Sequence, residues 1–256
     1  MSELQGQIRA WWDADAGHYD RSSDHGLTDP VQTAAWTAAL RSLLPAAPAR
    51  VLDVGTGTGA MSLLAADLGH DVTALDLSEA MLDGARRKAT ERGLPVRFVH
   101  GPAEEPPPGP FDVVIERHVA WTLPDPTSAF AAWRRVASGG RLVLFEGSWA
   151  GEGPFVAVAD ALARGLERAW RIPEHHHGEY PPEVVRALPL SGTSSPRPFL
   201  EAVEGAGWRD VRLYRLGDIE WAVERAARWP LGRLRRRPRY AIVADDRSSE
   251  SQTPVT

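Results

Sequence analysis

Residues 51–59, VLDVGTGTG, constrain the fold of this chain more than any other part of its sequence. An apolar run carrying a single acid, Asp53, is typical of a buried strand, and it is followed by a helical segment at residues 60–68. Between them Gly55, Gly57 and Gly59 form a GxGxG turn. Because glycine adopts backbone angles closed to other residues and lets a ligand approach the main chain, the pattern predicts a strand, a ligand-binding loop and a helix.

A second predicted strand, VTALD at residues 72–76, ends in Asp76. A carboxylate at this place in such folds binds ribose hydroxyls. The glycine spacing differs from the GxGxxG of dinucleotide sites, and Asp53 would repel a phosphate where a helix N-terminus attracts one. We therefore expect a cationic, phosphate-free ligand with a ribose. S-adenosylmethionine fits, with its ribose on Asp76 and its ammonium group bound by Asp53 directly or through water.

From residue 51 to residue 147 the chain resembles the class I S-adenosylmethionine-dependent methyltransferases, specifically the small-molecule branch that includes the ubiquinone and menaquinone methyltransferases. Four further motifs occur in the family's order: LSEAM at 77–81, FDVVIERH at 111–118, LPDP at 123–126 and GGRLVLFE at 139–146. The resemblance implies an enzyme that transfers a methyl group from S-adenosylmethionine to a small-molecule acceptor. It also implies a Rossmann-like α/β fold, a doubly wound seven-stranded sheet with the last strand antiparallel.

The resemblance implies several cofactor contacts. Tyr19, in a Tyr-Asp pair, would close over the cofactor or simply pack there, while Leu77 and Met81 would flank the adenine. The family's Gly-Asp-Ala motif after the third strand is replaced here by GPAE at residues 101–104, and proline supplies neither an acceptor side chain nor an amide donor. The remaining predicted contacts, including the substitutes for that aspartate, are Ala103, Glu104 and Arg117.

Ligands of open parallel sheets bind beyond the carboxyl ends of the strands, which directs attention to His118. It follows the fourth strand, where the family has a small polar residue facing the sulfonium. Histidine accepts a proton near neutral pH, so His118 is a candidate general base. It could equally serve to shape the pocket near Glu116 and Glu146. The residues that we expect to contact an apolar or aromatic acceptor are Trp121, Glu146, Trp149 and His176.

Three consecutive histidines, residues 175–177, suggest a metal site. Adjacent residues of an extended chain point to opposite faces, and zinc or iron usually takes ligands from separate elements. We therefore interpret the triplet as a polar lid segment and expect no metal ion. The chain has no cysteine, which excludes thiolate ligands and disulfides.

The order of predicted elements gives the domain organisation. Residues 1–45 form an N-terminal helical cap with helices near 8–13 and 31–44, separated by a polar loop at 20–30. The Rossmann-like core comprises residues 46–146 and 190–245. Residues 147–189 break the βα alternation and form a lid insertion with a helix at 156–171, and residues 246–256 form a disordered tail.

A formal net charge of −5 over 256 residues argues against a nucleic-acid partner. The exception is a cluster of five arginines, which we interpret as a solvated loop before the last strand, with a polyanion site as the alternative: Arg233, Arg235, Arg236, Arg237 and Arg239. The sequence lacks a signal-peptide pattern and any run near eighteen apolar residues. We expect a cytoplasmic protein without membrane contact, monomeric or homodimeric.

Two alternatives to methyl transfer remain at this point. The same scaffold can use S-adenosylmethionine without methylating, by cyclising its aminobutyryl chain or assisting a rearrangement. A non-catalytic module that binds this cofactor or a nicotinamide is the other. Methylation yields S-adenosylhomocysteine and cyclisation yields methylthioadenosine, so product analysis distinguishes the first two.

Overall fold

The computed structural model describes residues 2–148, 154–172 and 178–246. A seven-stranded sheet with the order β3-β2-β1-β4-β5-β7-β6 forms its centre. β7 lies antiparallel between β5 and β6, and the other neighbouring strands are parallel. The predicted fold class, a Rossmann-like sheet with its last strand antiparallel, is confirmed.

The strands span Arg50–Val54 (β1), Asp71–Asp76 (β2), Val96–His100 (β3), Val113–Arg117 (β4), Arg141–Gly147 (β5), Arg209–Arg215 (β6) and Arg239–Asp245 (β7). The helices of the first half span Glu3–Tyr19 (α1), Ser23–Gly26 (α2), Pro30–Leu43 (α3), Ala60–Asp67 (α4), Glu79–Arg92 (α5) and Pro126–Val136 (α6), with a 3-10 turn at Ala120–Thr122. Those of the second half span Pro154–Ala169 (α7), Pro182–Ala187 (α8), Arg197–Gly205 (α9), Gly217–Ala226 (α10) and Leu231–Leu234 (α11).

The central strands are buried on both faces, as parallel strands covered by helices must be. Side chains alternate between two cores: Leu142 and Leu144 of β5 face one, with α6 and α9, while Val143 and Phe145 face the other, with α3 and α10. This alternation fixes the register of the strands. It therefore also fixes which residues stand at their carboxyl ends.

The N-terminal region differs from the sequence expectation. One helix runs over Glu3–Tyr19, started by a Ser2–Gln5 capping box, instead of a short helix near 8–13. The expected polar loop contains α2, and α3 begins at Pro30 with Asp29 as its N-cap. The longer first helix matters because its full length reaches over the carboxyl ends of the strands.

The arginine-rich segment before the last strand is the expected loop only in part. Only Arg233 lies in a helix, α11, and Arg239 lies in β7, whereas Arg235, Arg236 and Arg237 do lie in the loop before that strand. The loop is tied by ion pairs to acids: Arg233 pairs with Glu224, and Arg235 pairs with Glu167 at 2.7 Å. The sequence predicts α11 and α10 only weakly, since each helix is short and lies between elements with clearer hydrophobic patterns. No helix among the described residues is both long and apolar enough to cross a membrane.

A buried ion pair fastens the N-terminal cap to the sheet. Arg239, at the start of β7, lies 2.6 Å from the carboxylate of Asp24 in α2, and both side chains are largely buried. Burial acts to raise the pKa of Asp24, but the Arg239 and Arg117 guanidinium groups outweigh it and lower that pKa to about 2. Arg117 adds hydrogen bonds to the carbonyls of Asp24 and His25, at 2.9 and 3.1 Å. Two strands thus hold α2 in place.

We predict that Asp24→Ala destabilises the fold by about 3–5 kcal/mol, because it removes the carboxylate that balances a buried guanidinium. Urea unfolding at neutral pH measures the change. Asp83→Ala is the matched control, since its pair with Arg86 is exposed, and it should cost less than about 1 kcal/mol. Equal losses in the two variants would contradict a structural role for the buried pair.

Candidate active site

The glycine turn after β1 has the backbone that its sequence predicts. Gly55, Gly57 and Gly59 have φ values of +64°, +56° and +88°, the left-handed region that favours glycine. A Cβ atom on Gly55 would lie 2.1 Å from Cγ2 of Val119, so the loop after β4 packs directly against this turn. Sequence and packing both require glycine here.

Asp76 ties the turn to β2. Its carboxylate accepts hydrogen bonds from the Gly57 amide at 2.7 Å and from the Ser78 amide at 2.8 Å. Burial raises the pKa of Asp76 to about 6, in spite of those two amide donors, and nearby Asp53 and Asp13 act in the same direction. This carboxylate therefore changes charge close to neutral pH.

A cavity lies between the carboxyl ends of β1, β2 and β4 and the overlying α1. Most of the predicted cofactor contacts line it: Tyr19, Gly55, Gly57, Asp76, Leu77, Met81, Ala103, Glu104 and Arg117. The cavity is narrow, about 80 Å³.

Two predicted contacts, Asp53 and Gly59, do not line this cavity. The Asp53 carboxylate lies beneath the turn and accepts hydrogen bonds from the Thr56 hydroxyl at 2.7 Å and from the Ser62 hydroxyl at 2.5 Å. Burial raises its pKa, although both hydroxyls lower it. The geometry gives Asp53 the role of bracing the turn, and Gly59 that of its last left-handed residue.

Helix α1 supplies a set of lining residues that the sequence analysis missed. Gln5, Ile8 and Trp12 line the cavity with Tyr19. Their spacing of three, four and seven residues marks one helical face, a signal that a predicted helix over the full 3–19 range reveals. Tyr19 lies over Gly57, with a ring carbon 3.5 Å from where a Cβ would be, and its ring stacks on His25 at 4.3 Å.

A second cavity, of about 310 Å³, adjoins the first. Its walls are mainly apolar and aromatic, and they include Trp121, one of the predicted acceptor contacts. Tyr180 closes one side, with its ring centroid 4.3 Å from that of Trp11 and 5.4 Å from that of Trp121. The wall residues that sequence reasoning missed are Trp12, His25, Val185, Leu190, Ser191, Gly192, Thr193 and Phe199.

His118 stands where the two cavities meet, and it lines both. Its backbone has φ +63°, uncommon for a residue other than glycine, and its amide donates to the Phe145 carbonyl at 3.1 Å. Nδ1 lies 3.5 Å from Oε2 of Glu146. Burial lowers the pKa of His118 well below 6.5, and the cations Arg239 and Arg117 act in the same direction. Its ring is therefore neutral at physiological pH.

Glu116 holds the backbone around His118. Its Oε2 accepts hydrogen bonds from the amides of Val119 and Ala120, at 2.7 and 3.2 Å. Burial raises the pKa of Glu116 to about 8, against the effect of these amides. The 3-10 turn that carries Trp121 is thus anchored at its first residues by a buried carboxyl group.

The other predicted acceptor contacts are not at the cavity wall. Glu146 is buried behind His118 and lines neither cavity. Trp149 and His176, like the rest of the histidine triplet, lie outside the described residues. Within the described ranges no group of three or more His, Asp or Glu side chains is arranged to hold a metal ion.

Comparisons with known proteins agree with this geometry. Residues 52–144 match a family model described as a methyltransferase domain. The chain is 31% identical over 241 residues to the demethylmenaquinone methyltransferase of Renibacterium salmoninarum, covering 91% of this chain and 95% of that protein. It is 32% identical over 190 residues to a ubiquinone biosynthesis O-methyltransferase of Xanthomonas euvesicatoria, covering 71% and 74% of the two chains.

Among solved structures, the geranyl diphosphate C-methyltransferase of Streptomyces coelicolor, in complex with S-adenosyl-L-homocysteine, superposes with a TM-score of 0.63 over 96% of this chain and 99% of that one. At 16% identity this likeness shows a shared fold. None of these relatives favours the two alternatives to methyl transfer. With its glycine turn, the acid at the end of β2 and these homologues, the chain belongs to the class I S-adenosylmethionine-dependent methyltransferases that act on small molecules.

Proposed function

We propose that this methyltransferase acts on a hydroxyl-bearing aromatic ring, a phenol or a hydroquinol with apolar substituents, and that His118 is the general base. The observation that carries the proposal is that Trp12, Tyr19 and His118 line both cavities. A methyl donor in the first cavity and an acceptor in the second would therefore meet beside a buried, neutral imidazole.

The first cavity fits the cofactor that the family uses. Asp76 lies where a carboxylate binds a ribose, and the remaining contacts would come from Leu77 and Met81 against the adenine and from Ala103, Glu104 and Arg117 around it. Tyr19 would cover the sulfonium end. S-adenosylmethionine supplies an electrophilic methyl group when bound.

The second cavity favours a flat apolar acceptor. Trp12, Trp121 and Phe199 give it aromatic walls, and aromatic rings pair well with other rings in offset or edge-on arrangements. The demethylmenaquinone and ubiquinone biosynthesis methyltransferases named above support a ring of this class. Enclosure by α1 and by the segment around Tyr180 excludes water, which favours a transfer that depends on proximity and desolvation.

His118 would take the acceptor's hydroxyl proton as the oxygen, or the ring carbon beside it, attacks the methyl group. Nδ1 lies beside Glu146, so we assign Nε2 as the proton acceptor and Glu146 as the group that holds the tautomer. Because the pKa of His118 is well below 6.5, the imidazole is in its accepting form throughout the physiological range. Glu146 then acts as a positioning residue instead of the substrate contact expected from sequence.

That residues 147–189 form a lid stays a proposal. The cover that we now propose has two parts, one after α7 and one in α1. Val185 of α8 and the following residues line the acceptor cavity, whereas the described residues of α7 do not. Helix α1 covers both cavities from the other side. We assign the mobile cover to α1 and the 178–193 segment.

We predict that affinity for S-adenosylhomocysteine falls as the pH drops below about 6, because protonation removes the Asp76 carboxylate that accepts from the ribose hydroxyls. The sign follows from the raised pKa: the binding-competent ionised form predominates above pH 6. Calorimetric titration across this range measures the effect. Asp76→Asn should bind at least about tenfold more weakly at neutral pH and lose the pH dependence. A variant with the wild-type profile would contradict the assignment.

We predict that His118→Ala and His118→Asn lower turnover by about 10² to 10⁴-fold, with little change in S-adenosylhomocysteine affinity, because each removes the base and neither removes a ribose contact. The assay follows S-adenosylhomocysteine release with a short-chain demethylmenaquinone, reduced to its quinol, as acceptor probe. The acidic limb of the wild-type pH–rate profile should lie below pH 6.5. Near-normal turnover in the asparagine variant would eliminate the general-base role and leave proximity as the main effect.

We predict that Glu146→Gln lowers kcat by at least about tenfold, and by up to the roughly 10⁴-fold loss seen where a carboxylate fixes a catalytic histidine. KM for the cofactor should change little, and Glu146→Asp should recover part of the activity. In a His118→Asn background the Glu146 substitution should cost nothing further, because its effect passes through the imidazole. Additive losses would instead indicate a role in folding.

A further inference from the structure

Helix α7 presents its apolar face to solvent. Phe155, Val158 and Leu162 recur at helical spacing and are 90%, 59% and 56% exposed. Its acids point the other way: Asp160 pairs with Arg235 and Arg237, and Glu167 pairs with Arg235. An ordinary surface helix buries its large apolar side chains, whereas these three of α7 are left in solvent.

The neighbouring segment extends the same surface. The Arg228 guanidinium lies 4.0 Å from the ring centroid of Trp170, which comes just after α7. Arg235 pairs with Asp160 inside the helix, so residues 228–237 run alongside α7. Trp229 within this segment is 79% exposed. We call residues 154–172 and 228–237 together the α7 surface.

The α7 surface is strongly basic in an acidic chain. It contains eight arginines and two acidic residues, while the chain as a whole carries a net charge of −5. Arg164 and Arg168 on α7 and Arg171 just after it are exposed, and none forms an ion pair with an acid among the described residues. Glu220 and Glu224 of α10 offset only part of this charge, through Arg233 and Arg236. Net positive charge and exposed apolar side chains therefore occur together on the α7 surface.

We propose that the α7 surface docks on an anionic lipid membrane, with Phe155, Val158 and Leu162 inserted and the arginines at the headgroups. An outward apolar face beside arginine-rich flanks is the arrangement of helices that lie in the membrane interface. Basic side chains gain energy near an anionic lipid surface, and tryptophan is favoured at the boundary between lipid and water. The proposal goes beyond the reaction itself, although an apolar acceptor would reside in the same membrane.

Charge also decides against a second copy of the chain as the occupant. A two-fold interface brings the same patch of each protomer together, so Arg164, Arg168 and Arg171 would approach the equally basic patch of the other copy. An apolar helix face is likewise unsuited to a nucleic-acid backbone, which is bound by charge alone. Neither occupant explains both the apolar and the basic character of the surface.

Vesicle co-sedimentation of the full chain tests the proposal, with phosphatidylcholine vesicles against phosphatidylcholine vesicles containing phosphatidylglycerol. We expect binding to the anionic vesicles that is at least about tenfold tighter than to the neutral ones and that weakens with salt. Arg164→Glu/Arg168→Glu and Phe155→Asp/Leu162→Asp should each lower it at least about tenfold. Arg41→Glu/Arg87→Glu is the matched control, the same charge change at exposed arginines elsewhere, and should bind more tightly than the first charge variant.

Absence of binding by the wild-type chain would overturn the proposal. So would full binding by Phe155→Asp/Leu162→Asp, which would show charge attraction without insertion, or equal losses in the two arginine pairs. A concentration-dependent increase in mass in analytical ultracentrifugation, abolished by the aspartate variant, would assign the face to a second copy. All variants should bind S-adenosylhomocysteine like the wild type, so the outcome is independent of whether His118 is the base.

Discussion

The ion pair between Arg239 and Asp24 supports the rest of the site. It joins the start of the last strand to a short helix of the N-terminal cap, and Arg117 binds two carbonyls of the same helix. A buried charge without its partner is costly, so the cap has one favourable position over the sheet. The enclosure of both cavities, and the burial of His118 between them, depend on that position.

The same pair has an electrostatic consequence. Arg239 and Arg117 lie near His118, and their charge adds to burial in lowering the pKa of its imidazole, while Asp24 acts in the opposite direction. A histidine in this field stays neutral and can accept a proton from a weakly acidic hydroxyl. If His118 is the base proposed above, the charges that hold the cap helix in place also keep that base neutral.

Aromatic side chains outside the two cores of the sheet lie in two different settings. Aromatic side chains of α1 and Tyr180 turn inward and enclose the second cavity, whereas Phe155 of α7 and Trp229 turn outward. Burial of apolar area would favour turning both inward. The ion pairs of Asp160 and Glu167 with the 228–237 segment hold α7 in the opposite orientation.

The sequence by itself determined the fold class and the cofactor, and it predicted nine residues that the structure brings together around the first cavity. Their signals are local: a glycine turn with positive φ, an acid at the end of the next strand, and strand and helix patterns in a fixed order. Leu77, Met81 and Asp76 were predictable because each lies a set number of residues from its strand. The length of α1 was missed, although its lining residues share one helical face.

Only the tertiary structure decided the surroundings of Asp53, Glu146 and the arginine cluster. Asp53 braces the turn instead of facing the cavity, because its carboxylate points to Ser62 and Thr56. Glu146 lies behind His118 because β5 is the neighbour of β4 in the sheet, a pairing between residues far apart in sequence. The partners of the arginines come from α7, α10 and α2. Local patterns carry no record of such contacts, since they exist only once the strands have been ordered and the helices packed.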